Sequence, residues 1–234
     1  MAPTIAEPMA VDKKPNPAAK PGKKTPIAER SGRNPERTRQ AIIAAATQEF
    51  AEFGIGGARI DAIAARAGLN KRLLYYYFGN KDDLFQAVLE RAYEDIRSAE
   101  GELHLGEIDP IEAIRKLVAF TWNYYIAHPE FLSLLGSENL HKAAHLKKSA
   151  NILEMNSPLL QALDTVLEHG RSARLFRSGV DPVQLYISIA ALAYFYLSNQ
   201  HTLSAIFGRD LRQPKAETER LSHITELVLG YLLL

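Results

Sequence analysis

From Asn34 onward the apolar residues recur every three or four positions, and no stretch alternates apolar with polar as a half-buried strand would. That periodicity predicts an all-α chain of about nine helices. Asn34-Pro35 supplies an N-cap and a proline suited to the first helical position. Ile42, Ala45, Ala46, Phe50 and Phe53, with Glu49 among them, form the inner stripe of that first helix, and Gly54 stops it. Ile60, Ile63, Ala64 and Ala67 mark a short second helix ended by Gly68, and residues 71–78 a third. Asn80 caps a fourth, with Leu84, Phe85, Val88, Leu89, Ala92 and Ile96 facing inward and Gly101 at its end.

The same punctuation continues to the C-terminus. Asp109-Pro110 opens a helix to about Ala127, and His128-Pro129 breaks it. Short helices are expected around 130–136 and 139–149, then a longer one to His169, a loop over 170–180, and a helix from Asp181-Pro182 to about Phe207. Pro214 opens the last. The segment Pro182–Phe207 has no Asp, Glu, Lys or Arg, but its strongly apolar part, Leu185–Leu197, is shorter than the roughly 20 residues a membrane span needs. It reads as a helix buried in protein.

Residues 1–33 break the pattern. They are rich in Pro, Ala and Lys and nearly devoid of large apolar residues, so a disordered tail is expected there. Three parts follow: the tail at 1–33, a helical unit at 34–81, and a larger helical unit at 82–234. Charge divides along the same line. Residues 1–81 hold 14 Lys and Arg against 7 Asp and Glu, a net of +7, whereas 82–234 hold 14 against 20, a net of −6. A basic end and an acidic remainder favour contact with a polyanion through the N-terminal part. The absence of cysteine excludes disulfides and thiolate chemistry and suits the cytoplasm, and the N-terminus has no secretory apolar core.

Within Gly54–Leu84, two short helices flank a glycine turn, and the second carries bases and tyrosines. This is the pattern of a helix-turn-helix, in which the second helix enters the DNA major groove. Gly68 permits the sharp turn, and Asn70 can cap the second helix. Lys71 and Arg72 then lie in its first turn, suited to guanine edges or phosphates, and Tyr75 and Tyr76 follow one turn on. Lys81 opens the next helix, where its charge and free backbone amides can hold a phosphate.

The run Ile42, Ala46, Phe50, Gly54, Ile63-Ala64, Ala67-Gly68-Leu69, Tyr75-x-Tyr77-Phe78 and Asn80-Lys81-x-x-Leu84 resembles the tetracycline-repressor (TetR) family of bacterial regulators over about residues 35–90. Phe176-Arg177 followed by Asp181-Pro182 also looks like the loop before helix eight in many members. The resemblance implies a three-helix DNA-binding domain and a C-terminal ligand-binding and dimerisation domain. It further implies a homodimer on a palindromic operator, usually a repressor released by a small molecule. DNA contacts carried over are Arg59, Lys71, Arg72, Tyr75, Tyr76 and Lys81. Two places depart from the pattern: Ala58-Arg59 stand where members commonly have Thr or Ser, and Leu73 where a small or polar residue is commoner.

In the C-terminal part, the Pro182–Phe207 helix and the last helix, with Leu221, Ile224, Leu227, Val228, Tyr231 and Leu232, are apolar on more than one face. A four-helix bundle with their symmetry mates accounts for this, as would an ordinary monomeric core. Residues that could line an effector pocket are Trp122, Tyr125, His128, Asn139, His145, Met155, Tyr194 and Asn199, though each is also compatible with plain core packing. His141 and His145 would share a helix face near Glu138, but with no further ligand in a recognisable pattern no metal or other cofactor is expected. No GxSxG, phosphate loop or HExxH occurs, and Gly54-Ile55-Gly56-Gly57 follows a helix and so opens no dinucleotide fold, which argues against an enzyme. The reading is a ligand-released repressor; the alternatives are a DNA-binding regulator without an inducer and a helical carrier of an apolar ligand.

Overall fold

Proline and short polar caps set most of the helix starts. The computed structural model describes residues 34–234, and the basic tail expected at 1–33 lies outside the described residues. Nine α-helices follow among them: α1 Pro35–Gly57, α2 Ile60–Arg66, α3 Lys71–Phe78, α4 Lys81–Gly101, α5 Pro110–Ala127, α6 Pro129–Leu140, α7 Ile152–Ser172, α8 Pro182–Phe207 and α9 Pro214–Leu232. Asn80 Oδ1 accepts the Asp83 amide at 2.8 Å, Asp109 Oδ1 the Ile111 amide at 2.9 Å, and Asp181 Oδ1 the Gln184 amide at 2.9 Å. Each cap satisfies an amide that the first turn of a helix leaves without a partner. None of the helices is long and apolar enough to cross a membrane among the described residues.

Burial divides into two apolar cores. The first gathers Ile42, Ala46 and Phe50 of α1, Ile63 of α2, Leu74 and Phe78 of α3, and Leu84, Phe85, Val88 and Leu89 of α4. The second is built from α5, α7, α8 and α9, with Trp122, Leu163, Ile189 and Ile224 at its centre. Two helices belong to both. α4 sends Ile96 into the second core, and α6 gives Leu134 to the first but Phe131 and Leu132 to the second.

Three sequence expectations change. Gly54 interrupts α1 with φ 63° and ψ 173°, a conformation open to glycine, but the chain resumes a helical turn to Gly57 instead of stopping. Phe53, expected on the inner stripe, is 51 % exposed beside that kink. No helix spans 139–149: α6 ends at Leu140, Lys142 and Ala143 take left-handed φ values of 56° and 57°, and only a 3-10 turn at Leu146–Lys148 follows. The cause is Glu138. Its Oε1 accepts the amides of His145 at 2.8 Å and Leu146 at 3.0 Å, and its Oε2 meets His145 Nδ1 at 2.7 Å, which folds the chain back on the end of α6. His141 and His145 therefore do not share a helix face, and no group of three or more potential ligands is placed to hold a metal among the described residues.

The C-terminus closes against the α7–α8 loop. Arg177 N donates to Leu232 O at 2.8 Å and Leu234 N to Leu175 O at 3.2 Å, around an isolated antiparallel bridge between Phe176 and Leu233. Phe176 is buried on Gly170 of α7, where a Cβ would overlap its ring. Helix propensity alone favours alanine over glycine by about 1 kcal/mol. Gly170→Ala is nevertheless expected to destabilise by about 1–3 kcal/mol in urea unfolding, because the ring has to move; an unchanged midpoint would show that Phe176 repacks without cost.

Glu138 yields a second prediction. Burial pushes its carboxyl up, but the Leu146 amide, the His145 ring and the His145 amide together hold it below its ordinary 4.5. A depressed carboxylate stabilises the fold above its unfolded pKa, and that contribution is lost as pH falls through the folded value. Glu138→Gln is expected to lower the urea midpoint at neutral pH and to flatten its decline below about pH 4.5. Parallel profiles for the two proteins would remove Glu138 from acid unfolding.

Candidate nucleic-acid interface

The turn between α2 and α3 is tight because Gly68 takes φ +67°, with Leu69 N donating to Ala64 O at 2.9 Å. Asn70 caps α3 as expected, its Oδ1 accepting the amides of Arg72 at 2.9 Å and Leu73 at 3.3 Å. From there α3 has two faces. Leu73, Leu74 and Phe78 are buried, while Lys71, Arg72, Tyr75 and Tyr76 point outward. Tyr75 is 49 % and Tyr76 70 % exposed, a large uncovered aromatic surface for residues that normally bury most of their area. Leu73 belongs to the inner face, so its departure from the family pattern changes packing and not the outward surface.

The cations around this face differ in freedom. Lys71 Nζ lies 3.2 Å from Asp61 Oδ1, with both side chains more than half exposed. Such a surface pair contributes at most about 1 kcal/mol, little against a phosphate. Arg72 is exposed. Arg59, the residue before α2, has an exposed side chain, while its amide donates to Glu49 Oε1 at 3.1 Å. Lys81 is half-buried and donates from Nζ to Ala58 O at 3.1 Å, tying the start of α4 to the entry of α2. An ammonium has three donors, so a phosphate can still be held there.

Glu49 is the part of this site whose role the sequence left open. It is buried, holds the Arg59 amide, and faces Arg66 Nη2 at 3.6 Å, so one α1 carboxylate fixes both ends of α2. An acid at an inward position of an apolar stripe was the available signal.

Behind the interface, the end of α6 meets the DNA-side core. Ser137 Oγ accepts the Ile55 amide at 3.4 Å, Leu134 is fully buried there, and the His145 ring packs edge-on against Phe85 of α4 at 4.9 Å. His145 thus belongs to this junction.

The other residues proposed to line a pocket do not converge. Trp122 packs on Tyr196 at 5.5 Å inside the second core. Tyr125 and Tyr194 line a cavity of about 550 Å³ together with Leu132 and Leu197. Met155 lines a separate cavity of about 460 Å³ between α4 and α7. His128 packs at a tilt on Tyr124 at 4.3 Å and meets Glu130 at 3.0 Å. Asn139 and Asn199 each bond a carbonyl of their own helix, Leu135 O and Phe195 O, both at 2.9 Å. Beside the second cavity lies a buried pair missed in the sequence, Arg97 and Glu100. They follow Tyr93 at four and seven positions, so opposite charges on an inward helical stripe were the signal.

α8 is buried on one side only. Val183, Ile187, Phe195, Ile206 and Phe207 are exposed on it, and Leu227 and Tyr231 on α9. Large apolar side chains left in water along two helices mark an interaction surface.

Known proteins share this arrangement. Residues 42–88 match the family described as "Bacterial regulatory proteins, tetR family", and residues 110–228 match "Tetracyclin repressor-like, C-terminal domain". The HTH-type transcriptional repressor NicS of Pseudomonas putida is 42 % identical over 194 residues, covering 83 % of this chain and 92 % of that protein. The HTH-type transcriptional regulator RutR of Escherichia coli K12 is 27 % identical over 195 residues, covering 82 % and 88 %. Among solved structures, the transcriptional regulator SCO4942 from Streptomyces coelicolor superposes with a TM-score of 0.63 at 25 % identity, covering 83 % of this chain and 98 % of that one. With both halves matched in order, and the helix-turn-helix standing where the match to the DNA-binding half lies, the chain belongs to the tetR family of bacterial regulatory proteins.

Proposed function

We propose that this chain works as a homodimeric transcriptional repressor that reads a palindromic operator through α3 and leaves it when a small molecule binds the C-terminal half. The observation that carries the reading is the outward face of α3, where Lys71, Arg72, Tyr75 and Tyr76 are exposed on a helix whose other side is anchored by Leu73, Leu74 and Phe78. Bases can pair with guanine edges or phosphates, and tyrosines can reach phosphate oxygens or thymine methyls. Likeness to a repressor at 42 % identity supports the sign of regulation. The site of action would be the cytoplasm.

The exposed apolar residues of α8 and α9 support the dimer, because two half-sites require two copies of α3 in fixed relation. α4 and α6, which serve both cores, are the elements through which an effector would act on α3. Coupling is reciprocal, so a releasing effector binds the operator complex more weakly than the free protein.

Operator DNA is sought first in the sequence flanking the protein's own gene, by fluorescence anisotropy. Arg72→Ala and Tyr76→Ala should each cost about 1–3 kcal/mol of specific affinity, whereas Lys81→Ala should weaken all DNA alike and lower the salt slope by about 1. Unchanged affinity in both α3 variants would place the reading surface elsewhere. Phe195→Asp should split the dimer in sedimentation velocity and weaken operator binding with it. A dimer that survives both Phe195→Asp and Leu227→Asp would rule out pairing through α8 and α9.

A further inference from the structure

Residues 139–152 hold Lys142, Lys147 and Lys148 and neither Asp nor Glu, in a C-terminal part (82–234) whose net charge is −6. All three lysines are exposed, and among the described residues none has an ion-pair partner, whereas Lys71 has Asp61. Their backbone is nevertheless fixed. Lys142 and Ala143 take left-handed φ values of 56° and 57°, which residues with a side chain keep only where the surroundings impose them. The amides of Lys142, Lys147 and Lys148 donate to Asn139 O, Ala143 O and His145 O at 3.0, 3.1 and 3.0 Å. Buried Glu138 holds the amides of His145 and Leu146, the two residues before Lys147. Cations on a backbone already ordered lose less freedom on meeting a ligand than cations on a loose one.

The loop is seated at the helix-turn-helix end of α4. Its half-buried Leu146 packs on the first core, and the His145 ring meets Phe85, one helical turn from Lys81. Lys81 bonds the carbonyl of Ala58, beside Arg59. Ser137, just before the loop, bonds the amide of Ile55, four residues before Arg59. Both phosphate-binding candidates that flank α2 and α3 thus stand within about a turn of residues that the loop or its anchor touches.

We propose that this loop is a second DNA-binding element, in which Lys142, Lys147 and Lys148 hold backbone phosphates flanking the bases read by α3. The proposal rests on the reading of the chain as an operator-binding protein and adds a contact from the C-terminal half. A duplex carries a phosphate for roughly every 3.4 Å of axis on each strand, so DNA held at Lys81 continues past the half-site with further charge. Lysine meets a phosphate as a point charge on a flexible stem and reads no base there. The loop therefore adds affinity and salt dependence and leaves sequence preference to α3. A membrane or an acidic protein would meet the same charges, but the seat beside Arg59 and Lys81 favours DNA.

The test uses the full-length protein and fluorescence anisotropy on two duplexes. One is the operator sought beside the protein's own gene, ending at its outermost read base pairs; the other extends it by about one helical turn, roughly 10 base pairs, at each end. Wild type is expected to bind the extended duplex more tightly. Lys142→Gln/Lys147→Gln/Lys148→Gln should lose that gain and lower the salt slope on the extended duplex by about 3–5 for a dimer. Its urea midpoint and its preference for operator over a mixed-sequence duplex should stay unchanged, and the triple Lys→Arg variant should keep both the gain and the slope. The basic residues of 1–33 are common to every variant, so a gain and slope that survive the Gln changes overturn the proposal. No gain for wild type, or an equal loss on both duplexes with the slope unchanged, also overturns it. So does binding to phosphatidylglycerol vesicles that the Gln variant loses while its DNA binding stays as in wild type. Wild-type protein that binds no DNA at all removes the proposed function itself, whereas normal operator binding with an unchanged slope in the Gln variant removes only this loop.

Discussion

Two helices that serve two cores govern this molecule. α4 packs Leu84, Phe85, Val88 and Leu89 against the DNA-side helices and Ile96 against the C-terminal ones, and α6 divides Leu134 from Phe131 and Leu132 in the same way. Interiors are close-packed, so either helix gives the two cores a shared rigid element. The hydrogen bonds at the end of α6 reinforce the junction. Ser137 holds the backbone just after the Gly54 kink, and Glu138 holds the chain that places His145 against Phe85.

The DNA-side unit shows how so small a set of helices presents a rigid surface. α2 and α3 are only seven and eight residues long, too short to be stable alone. They persist because one face of each joins the first core and because polar side chains secure their ends. Asn70 caps α3, Glu49 holds the Arg59 amide at the start of α2, and Lys81 bonds the carbonyl just before it. With those ends secured, the outward face can carry bases and aromatic rings that lie outside the core.

The C-terminal half carries two unsatisfied features of different kinds. On its outside, α8 and α9 leave Ile187, Phe195 and Leu227 in water, a hydrophobic cost that a second copy of the chain would remove. On its inside, Arg97 and Glu100 keep charge away from water with hydrogen-bonding capacity to spare. A protein whose purpose were stability alone would have little use for either, since a buried ion pair is commonly no better than an apolar pair of like volume.

Much of this was legible in the residues. Proline after asparagine or aspartate announced the starts of α1, α5 and α8, the period of apolar positions announced the all-α fold, and Gly68 with Asn70 announced the turn and cap of the helix-turn-helix. These features are local, decided by backbone geometry and by partners within a few residues. The end of α6, the exposure of Phe53, and the separation of Tyr194 from Met155 into different cavities were not legible. The first depends on a side chain that reaches seven and eight residues ahead, and the other two on how separate helices pack. Residues 139–149 have no strong helix breaker, and the Glu138 carboxylate holds the His145 and Leu146 amides where the chain turns back after the helix. Sequence by itself therefore determined which segments are helical and which face of α3 points outward. Tertiary structure decided which charges are buried and which apolar faces remain uncovered, because burial is a property of what packs above a residue and not of the residue itself.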